Sequence, residues 1–373
     1  MELTNSNTKK VIALYLPQYH EIPENNKWWG KGFTEWTNTK NAKPVFIGHY
    51  QPKIPLDNNY YDLSSPAVME KQASLARKYG VFGFCYYHYW FKDGKKLLER
   101  PIEAMLEDHK IDIPFFLCWA NENWSRNWDG GNKEIIMRQD YGNETDWEKH
   151  FCYLLEFFKD ERYICFNGMP LLAIYKPEEI SCFSEMASYL KKRAVEEGFK
   201  GLLIISQHPN CLTLNNFNLD LIDYAIKFQP ASYWSNNLRY FSLIESMIHR
   251  IDKKLVRLRN KISLRDDHHK YCDYDDAWNA ILNKQPFGDK YINGAFVDWD
   301  NTARRQKDGT IFIGATPQKF KKYMGLLLKK ESALDMIVVN AWNEWGEGAY
   351  LEPDSVHKYA YLEALQSALM ENE

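Results

Sequence analysis

Eight short apolar runs, each rich in β-branched or aromatic residues, recur along this 373-residue chain with amphipathic segments between them. The runs cover residues 11–19, 81–89, 113–120, 170–175, 201–207, 221–228, 294–299 and 336–341. Apolar and charged residues alternate at helical spacing over 65–79, 97–109, 145–159, 181–197, 317–330 and 356–370. This alternation predicts parallel strands that are connected by helices.

A parallel sheet of this kind can close into a barrel or remain an open, doubly wound sheet. Polar and aromatic clusters follow several of the runs, whereas an open sheet gathers its site at one switch point. We therefore predict an α/β fold, a single (β/α)8 TIM barrel over residues 11–373 after a polar N-terminal tail at 1–10. Hydrophobic residues make up 45% of the chain and charged residues 26%, which is enough apolar material for one large core.

Two segments depart from the simple repeat. Residues 20–64 are rich in Trp, Asn, Pro and Gly and are too long for a plain connection, so we predict a long first βα loop in the site wall. The other is an insertion near 231–290, in which the basic residues of 250–265 alternate with apolar ones. This basic amphipathic segment favours a solvated face or a lid over peripheral contact with a membrane or a lipid-linked glycan.

Charge and cysteine usage narrow the class of protein and its compartment. A net charge of -3 gives no general attraction to nucleic acid. The seven cysteines are an odd number without a C-x-x-C pair, which is typical of free thiols in a reducing compartment. The start of the chain is polar and no apolar stretch reaches membrane-spanning length, so a cytoplasmic location is expected.

An acidic pair follows the last apolar run. Glu344 and Glu347 lie three positions apart beside Trp345, and Gly346 and Gly348 let the chain turn sharply there. Glycosidic bond chemistry requires one acid to protonate the leaving oxygen and a second carboxylate as base or nucleophile. A surface turn with two solvated glutamates is the alternative for so short a motif.

Aromatic and polar residues cluster at the ends of several other runs. The chain has 13 Trp, 24 Tyr and 20 Phe, and many of the Trp stand among polar and glycine residues, where they suggest a stacking surface for sugars. Amide, carboxylate and imidazole groups suit hydroxyls, which both donate and accept hydrogen bonds. The predicted glycan contacts are Tyr15, His20, Trp29, Glu35, Trp36, Tyr87, His88, Trp90, Trp119, Asn121, Glu122, Trp124, Arg126, Asp298, Trp299, Asn343 and Trp345.

The sequence contains few motifs that indicate metal or cofactor binding. The D-x-D pattern of metal-dependent nucleotide-sugar enzymes occurs at 273–275 and 298–300, but such matches arise by chance in acidic chains. No zinc-like ligand spacing and no glycine-rich phosphate loop is present. We therefore predict neither a metal nor a cofactor.

Four stretches of the sequence together resemble a known family. Residues 14–20, 28–36, 119–124 and 342–348 are similar to the motifs of the WbsX-like family of bacterial polysaccharide-locus proteins, which are described as glycosyltransferases. That family is similar in turn to the family-99 glycoside hydrolases, the endo-α-mannosidases. The resemblance covers about residues 11–354 and implies a (β/α)8 barrel.

The resemblance also implies roles for the two acids. Glu347 would be the general acid on the glycosidic oxygen, and Glu344 the base that takes the proton of the sugar's own 2-hydroxyl. Such a mechanism passes through a 1,2-anhydro sugar with net retention and differs from the usual two-carboxylate scheme. The sequence departs from the hydrolases at Gly346, where they tend to carry a histidine, and in the 231–290 insertion.

Together with the acidic pair, the resemblance implies an enzyme that cleaves or transfers an α-linked, manno-configured glycosyl unit with retention, in bacterial surface polysaccharide metabolism such as that of O-antigen or capsule. A glycosyltransferase with a nucleotide- or lipid-linked donor and a non-catalytic glycan-binding barrel are the alternatives. The presence of both Glu344 and Glu347 argues against a pure binder. Residue spacing leaves open the choice between hydrolysis and transfer, the sugar, the linkage and the oligomeric state.

Overall fold

A computed structural model describes residues 1–3, 9–125, 135–207, 221–231, 233, 269–283 and 289–372. Eight strands in it form one closed barrel, in which each strand pairs in parallel with the next and the eighth pairs with the first. They are β1 Lys10–Tyr15, β2 Val81–Trp90, β3 Phe115–Trp119, β4 Met169–Ile174, β5 Leu203–Ser206, β6 Tyr224–Ile226, β7 Tyr291–Phe296 and β8 Met336–Asn340. The predicted (β/α)8 barrel is confirmed.

Helices surround the barrel and extend its loops. They are α1 Pro23–Trp29, α2 Glu35–Asn41, α3 Pro66–Lys78, α4 Arg100–Glu107, α5 Glu144–Phe158, α6 Phe183–Glu196, α7 Tyr274–Asn283, α8 Thr302–Arg305, α9 Pro317–Leu328 and α10 Ala360–Met370. The six predicted helices correspond to α3, α4, α5, α6, α9 and α10. Helices α1 and α2 lie in the segment that was predicted only as a long loop.

Helix α7 lies within the stretch predicted as an insertion, yet it belongs to the helical layer. Its Trp278 stacks on Phe296 at the end of β7 at 5.6 Å between ring centroids, and on Tyr323 of α9 at 5.4 Å. Trp278 is fully buried. The basic segment 250–265 lies outside the described residues.

The two faces of a barrel strand have different surroundings because successive side chains point to opposite sides. On β2, Tyr87 faces the interior, where its hydroxyl accepts a hydrogen bond from Gln207 Nε2 at 2.7 Å. The neighbouring Tyr86 faces the helices instead, with its hydroxyl 3.4 Å from Met105 Sδ of α4. This alternation decides which residues at the strand ends can reach a site inside the barrel mouth.

Short strands complete the described structure. Glu2–Leu3 pairs with Cys165–Phe166, so part of the predicted polar tail is tied to the barrel. Lys96–Leu97 pairs antiparallel with the end of β2. Trp124–Ser125 pairs with Ile135–Met137, Lys270–Asp273 with Thr310–Ile313, and Asn343–Glu344 with Ala349–Tyr350. Within the described ranges, no helix combines the length and apolar character needed to cross a bilayer.

Candidate active site

A cleft of about 470 Å³ opens at the carboxyl ends of the barrel strands and contains both predicted acids. Its lining consists of Leu16, Gln18, Tyr87, Tyr89, Ala120, Glu122, Asn123, Trp124, Ser125, Tyr175, Phe228, Ala231, Trp299, Arg304, Arg305, Asn340, Glu344 and Glu347. A larger groove of about 790 Å³ lies at the opposite end, beside Lys10 and Val81 where β1 and β2 begin. We take the smaller cleft as the candidate site, because the carboxyl ends carry the active sites of (β/α)8 enzymes.

Arg304 joins the two predicted catalytic glutamates. Its Nη2 lies 2.6 Å from Glu344 Oε1, and its Nη1 lies 3.0 Å from Glu347 Oε1. A third carboxylate, that of Glu35, accepts from Nη2 at 3.0 Å and from Nε at 3.1 Å. These four residues are called the Arg304 cluster below. One guanidinium faces three carboxylates in it, so the cluster has fewer positive than negative charges when all are ionised.

Two short helices bring Glu35 and Arg304 together. Glu35 is the first residue of α2, and the Thr34 hydroxyl caps this helix by accepting from the Trp36 amide. Arg304 lies on α8, whose start is held by Asp300. One oxygen of Asp300 accepts from the Thr302 amide at 3.1 Å and from the Thr302 hydroxyl at 2.6 Å. Loops from opposite ends of the sequence therefore meet at one guanidinium.

The glycines of the acidic motif are required by this packing. A Cβ atom on Gly346 would lie 2.8 Å from Arg304 Nε and 2.8 Å from Glu35 Oε2. Gly348 has φ +66°, in the left-handed region that favours glycine, and closes the turn beside the Asp300 backbone. The turn lies in the antiparallel hairpin of Asn343–Glu344 and Ala349–Tyr350. Both glutamates are thus fixed to a rigid element.

Burial makes the Arg304 cluster suitable for proton exchange. The Glu344 side chain is 7% exposed, that of Glu35 1% and that of Glu347 23%. Burial raises the pKa of Glu344 well above its usual value; the Arg304 charge opposes this shift, and the charges of Glu347 and Glu35 add to it. Burial also raises the pKa of Glu35, again against Arg304. A carboxylate with a raised pKa is a stronger proton acceptor than an ordinary one.

Only some of the predicted glycan contacts line the cleft. Tyr87, Glu122, Trp124 and Trp299 do so, and Trp29 borders a small adjoining cavity with Glu35 and Trp124. The Glu122 carboxylate also forms an ion pair with Lys176. Arg126 lies outside the described residues.

The alternation of strand faces turns His88, Trp90 and Trp119 away from the cleft. His88 Nε2 lies 2.9 Å from His150 Nε2 of α5, and the Trp90 ring stacks on His150 at 4.6 Å. Trp119 of β3 lies next to His88 of β2, and its ring packs against His150 at 4.7 Å between centroids. Burial lowers the pKa of His88 to about 3, so this imidazole is neutral at physiological pH. On β2, the alternate residues Tyr87 and Tyr89 face the cleft instead.

Other predicted contacts support the site from behind. The Trp345 and Tyr61 side chains donate to buried Glu352 at 2.7 and 2.8 Å, and burial raises the pKa of that carboxyl to about 7. Trp36 donates to the Tyr61 carbonyl at 2.8 Å and packs against Trp345. These indoles form the wall behind the acidic hairpin and do not line the cleft.

Four further predicted contacts also lie outside the cleft lining. The Tyr15 hydroxyl donates to Gln72 of α3 at 2.7 Å, so this side chain faces the helical layer. The Asn121 amide bonds both backbone groups of Lys176 at 2.8 Å. His20 is buried, and burial lowers its pKa. Asp298 lies 3.6 Å from Lys53 Nζ and does not line the cleft.

Asn343 has a structural position. Its side-chain oxygen accepts from the Leu16 amide at 2.8 Å, and its side-chain nitrogen donates to the Leu16 carbonyl at 3.0 Å. The residue is fully buried. Asn343 therefore fastens the acidic hairpin to the end of β1, where Pro17 cannot donate a backbone hydrogen bond.

Replacing Asn343 with Ala should destabilise the fold, because the Leu16 amide and carbonyl would both lose their partner in a buried environment. We expect a loss of roughly 2–4 kcal/mol in the free energy of unfolding. Urea denaturation of wild type and variant measures it. An unchanged unfolding midpoint together with weaker glycan binding would instead support a direct sugar contact.

Acidic residues of the D-x-D patterns accept hydrogen bonds from other residues of the protein. Asp275 accepts from Lys319 Nζ at 2.6 Å and from the Tyr323 hydroxyl at 2.5 Å. Asp300 accepts from His49 at 2.8 Å and from Gln51 at 2.5 Å, and it anchors α8. In the part of the chain that the structure describes, no three His, Cys, Asp or Glu side chains are grouped to hold a metal ion.

Several site residues were not predicted from the sequence. Arg304 is the most important of them, and the signal that could have found it is the Arg304-Arg305 pair shortly after the seventh run. Tyr89 could have been found from its two-residue spacing to Tyr87. Its hydroxyl accepts from Gln18 Nε2 at 2.6 Å across the cleft wall. Tyr175 follows the end of β4 and also lines the cleft.

Comparison with known sequences gives a match over nearly the whole chain. A family model described as Glycosyltransferase WbsX matches residues 11–365. A curated protein of Xanthomonas campestris pv. campestris, named "Uncharacterized protein WxcX", is 33% identical over 369 residues. The match covers 96% of this chain and 49% of that protein, so the chain spans about half the length of this relative.

Solved structures share the fold. The GH99 endo-α-mannosidase from Bacteroides thetaiotaomicron is 12% identical, with 99% of this chain and 98% of that chain covered and a TM-score of 0.52. A protein described as "Glycoside hydrolase-like protein" is 12% identical, with coverages of 98% and 94% and a TM-score of 0.57. At this level of identity the likeness extends to the barrel alone.

Proposed function

Because the chain belongs to the Glycosyltransferase WbsX family, we propose that it is a carbohydrate-active enzyme of bacterial surface polysaccharide metabolism. Its substrate is an α-linked, manno-configured glycan, which it cleaves or transfers with retention of configuration. Glu347 acts as general acid on the glycosidic oxygen, and Glu344 acts as base on the 2-hydroxyl of the sugar that is transferred.

The observation that carries this proposal is the arrangement of Glu344 and Glu347 on one guanidinium at the cleft wall. One of these carboxylates is buried and the other is more exposed, and both contact Arg304. They provide two groups that can exchange protons with one substrate. Aromatic rings of Tyr87, Tyr89, Trp124, Tyr175 and Trp299 line the same cleft. They offer flat apolar faces for sugar rings, while their polar edges and the neighbouring amides suit hydroxyls.

The charges of the cleft favour an uncharged glycan over a diphosphate-linked donor. Its described lining carries the carboxylates Glu122, Glu344 and Glu347 and the guanidinium groups of Arg304 and Arg305. Arg304 is already shared among three carboxylates, so it provides little attraction for a phosphate. A nucleotide- or lipid-linked donor would bring two further negative charges into this acidic environment.

Similarity to other proteins supports the same reaction class. The fold is shared with a protein described as a GH99 endo-α-mannosidase, and Glu344 and Glu347 stand at the positions that the motif resemblance gives to the catalytic acids. The family description as a glycosyltransferase supports transfer to an acceptor hydroxyl as a second outcome of the same chemistry. Water and an acceptor hydroxyl would attack the same carbon atom.

Mass spectrometry of reaction mixtures tests the proposal. Purified protein is incubated with α-mannan fragments, with or without an acceptor glycan, and separately with GDP- and UDP-sugars. We expect shortened or rearranged mannan fragments and no change in the nucleotide sugars. Turnover of a nucleotide sugar alone would contradict the proposed donor, and binding of mannan without any product would support a non-catalytic glycan-binding barrel.

A further inference from the structure

The Arg304 cluster contains two residues, Arg304 and Glu35, for which the two-acid chemistry has no direct use. We propose that Arg304 and Glu35 form a positioning pair that fixes the positions of the two catalytic glutamates relative to each other. The pair also sets the pH at which Glu344 becomes a competent base. This proposal rests on the function proposed above. It predicts that Arg304 and Glu35 act on the base in opposite directions.

The first support is the geometry of the guanidinium. Three nitrogens of Arg304 contact Glu35, Glu344 and Glu347 at 2.6 to 3.1 Å. A guanidinium is planar and rigid, so the nitrogen that binds Glu344 fixes where the nitrogen that binds Glu347 can lie. A lysine at this position would preserve the charge but could not fix both carboxylates in one plane.

The second support is the space that the pair occupies. Arg304 and Glu35 fill the volume beside residue 346, where even a Cβ atom would approach both side chains to 2.8 Å. Glu35 does not line the cleft, and its side chain is 1% exposed. It accepts two of the hydrogen bonds of Arg304, through Nε and Nη2. Glu35 borders the small adjoining cavity rather than the cleft itself, and it anchors the guanidinium from behind the cleft.

The third support is the balance of charge around the base. The ionisable groups that face Glu344 are Arg304, Glu347, Glu35, Tyr19 and Tyr89. Arg304 is the cation among them and favours the ionised form of Glu344, whereas both carboxylates oppose it. Loss of Arg304 would leave three mutually repelling carboxylates in a buried setting. Without the Glu35 charge, Arg304 would interact more strongly with Glu344 and would favour its ionised form further.

The test compares pH profiles of kcat/KM for wild type, Arg304→Gln, Arg304→Lys and Glu35→Gln on a mannan fragment. The acidic limb reports ionisation of the base. We expect this limb to move up by about 1–3 pH units in Arg304→Gln and down by about one unit in Glu35→Gln. In Arg304→Lys the limb should stay near the wild-type pH, while kcat falls roughly tenfold or more because the fixed geometry is lost.

Arg305→Gln is the matched control. Arg305 lines the same cleft and carries the same charge, but it is exposed and forms none of the described contacts to the cluster. We expect its acidic limb to stay at the wild-type pH. Limbs that move in the same direction in Arg304→Gln and Glu35→Gln, or an Arg305→Gln shift as large as that of Arg304→Gln, would overturn the proposal.

A second measurement needs no substrate. In Arg304→Gln the buried carboxylates must bind protons more tightly in the folded state than in the unfolded state, so stability is lost as pH rises through their raised folded-state pKa values. The deficit in Tm relative to wild type should therefore grow between about pH 5 and pH 8. This pattern without any glycan turnover supports the proposal while overturning the proposed function. A deficit that does not depend on pH overturns the proposal.

Discussion

Replacing Glu347 with Gln should lower kcat for glycan turnover by roughly a hundredfold to ten-thousandfold, and Glu344→Gln should have an effect of similar size. Glutamine keeps the size of the side chain, and its carbonyl oxygen can still accept a hydrogen bond from Arg304. It cannot exchange a proton at neutral pH. The loss should therefore fall on the chemical step, with folding and glycan binding retained. Steady-state kinetics together with thermal unfolding measures both effects.

The dependence on the leaving group separates the two roles. A donor with a good aryl leaving group needs little protonation, so it should recover much of the activity lost in Glu347→Gln. It should recover little in Glu344→Gln, because attack by the 2-hydroxyl still needs a base. If the aryl donor restored activity only in Glu344→Gln, Glu344 would be the general acid and Glu347 the base.

Glu122→Gln provides the matched control for the acid pair. Glu122 lines the same cleft, but its carboxylate pairs with Lys176 and does not belong to the Arg304 cluster. We expect this variant to keep most of the wild-type kcat, with any loss of its predicted glycan contact expressed in KM. Undiminished turnover in Glu344→Gln or Glu347→Gln would refute the catalytic role of that residue.

The barrel could be predicted from sequence because its strands are buried on both faces. Strands of this kind read as continuous apolar runs, and the eight predicted runs overlap the eight barrel strands. The ends of the strands were less certain. The first run was predicted to residue 19 but β1 ends at Tyr15, two residues before Pro17, which lacks a backbone donor. Nothing in the period of the apolar residues distinguishes a strand from the segment that leaves it.

The direction of side chains at the strand ends was harder to predict. Tyr87, His88 and Trp90 were all predicted as glycan contacts, yet on a single strand only alternate residues can face the barrel mouth. The structure places Tyr87 and Tyr89 in the cleft and turns His88 and Trp90 toward His150. Applying the two-residue period within the motif would have separated these groups.

Arg304 could not be found from the acidic motif because it comes from a different loop. The loops that carry Glu35, Arg304 and Glu344 are adjacent only in the closed barrel, where the first, seventh and eighth strands are neighbours. Asn343 illustrates the converse difficulty. It stands next to the proposed catalytic residue Glu344 in sequence, but its side-chain amide is hydrogen-bonded to the backbone of Leu16. Proximity in sequence to a catalytic group does not reveal whether a polar side chain is free to bind substrate.

A donor that lacks the 2-hydroxyl should bind but fail to react. In the proposed mechanism Glu344 removes the proton of this hydroxyl, its oxygen attacks the anomeric carbon, and the bond to the leaving oxygen breaks as Glu347 donates a proton. Water or an acceptor hydroxyl then opens the 1,2-anhydro ring, giving its proton to Glu347 while Glu344 returns a proton to the sugar oxygen. The hydroxyl must be trans to the leaving group, as in an α-manno-configured sugar.

The comparison uses matched 2-hydroxy, 2-deoxy and 2-fluoro α-manno donors that carry the same good leaving group. The aromatic lining of the cleft is unchanged between them, so we expect affinities within about tenfold of one another. Turnover of the 2-deoxy and 2-fluoro donors should fall below detection, because the internal nucleophile is absent. An α-gluco donor, whose 2-hydroxyl is cis to the leaving group, should fail for the same reason and serves as a control that retains a hydroxyl.

The 2-fluoro donor also discriminates between the two retaining mechanisms. A conventional retaining enzyme attacks the anomeric carbon with a carboxylate, and a 2-fluoro donor with a good leaving group traps the covalent intermediate. Mass spectrometry of the digested protein would then find added mass on the peptide that contains Glu344. We expect no such adduct, because the proposed mechanism uses Glu344 as a base on the 2-hydroxyl and not as a nucleophile on the anomeric carbon. Detection of the adduct would replace the 1,2-anhydro sugar with a glycosyl-enzyme intermediate, even if both glutamates prove to be catalytic.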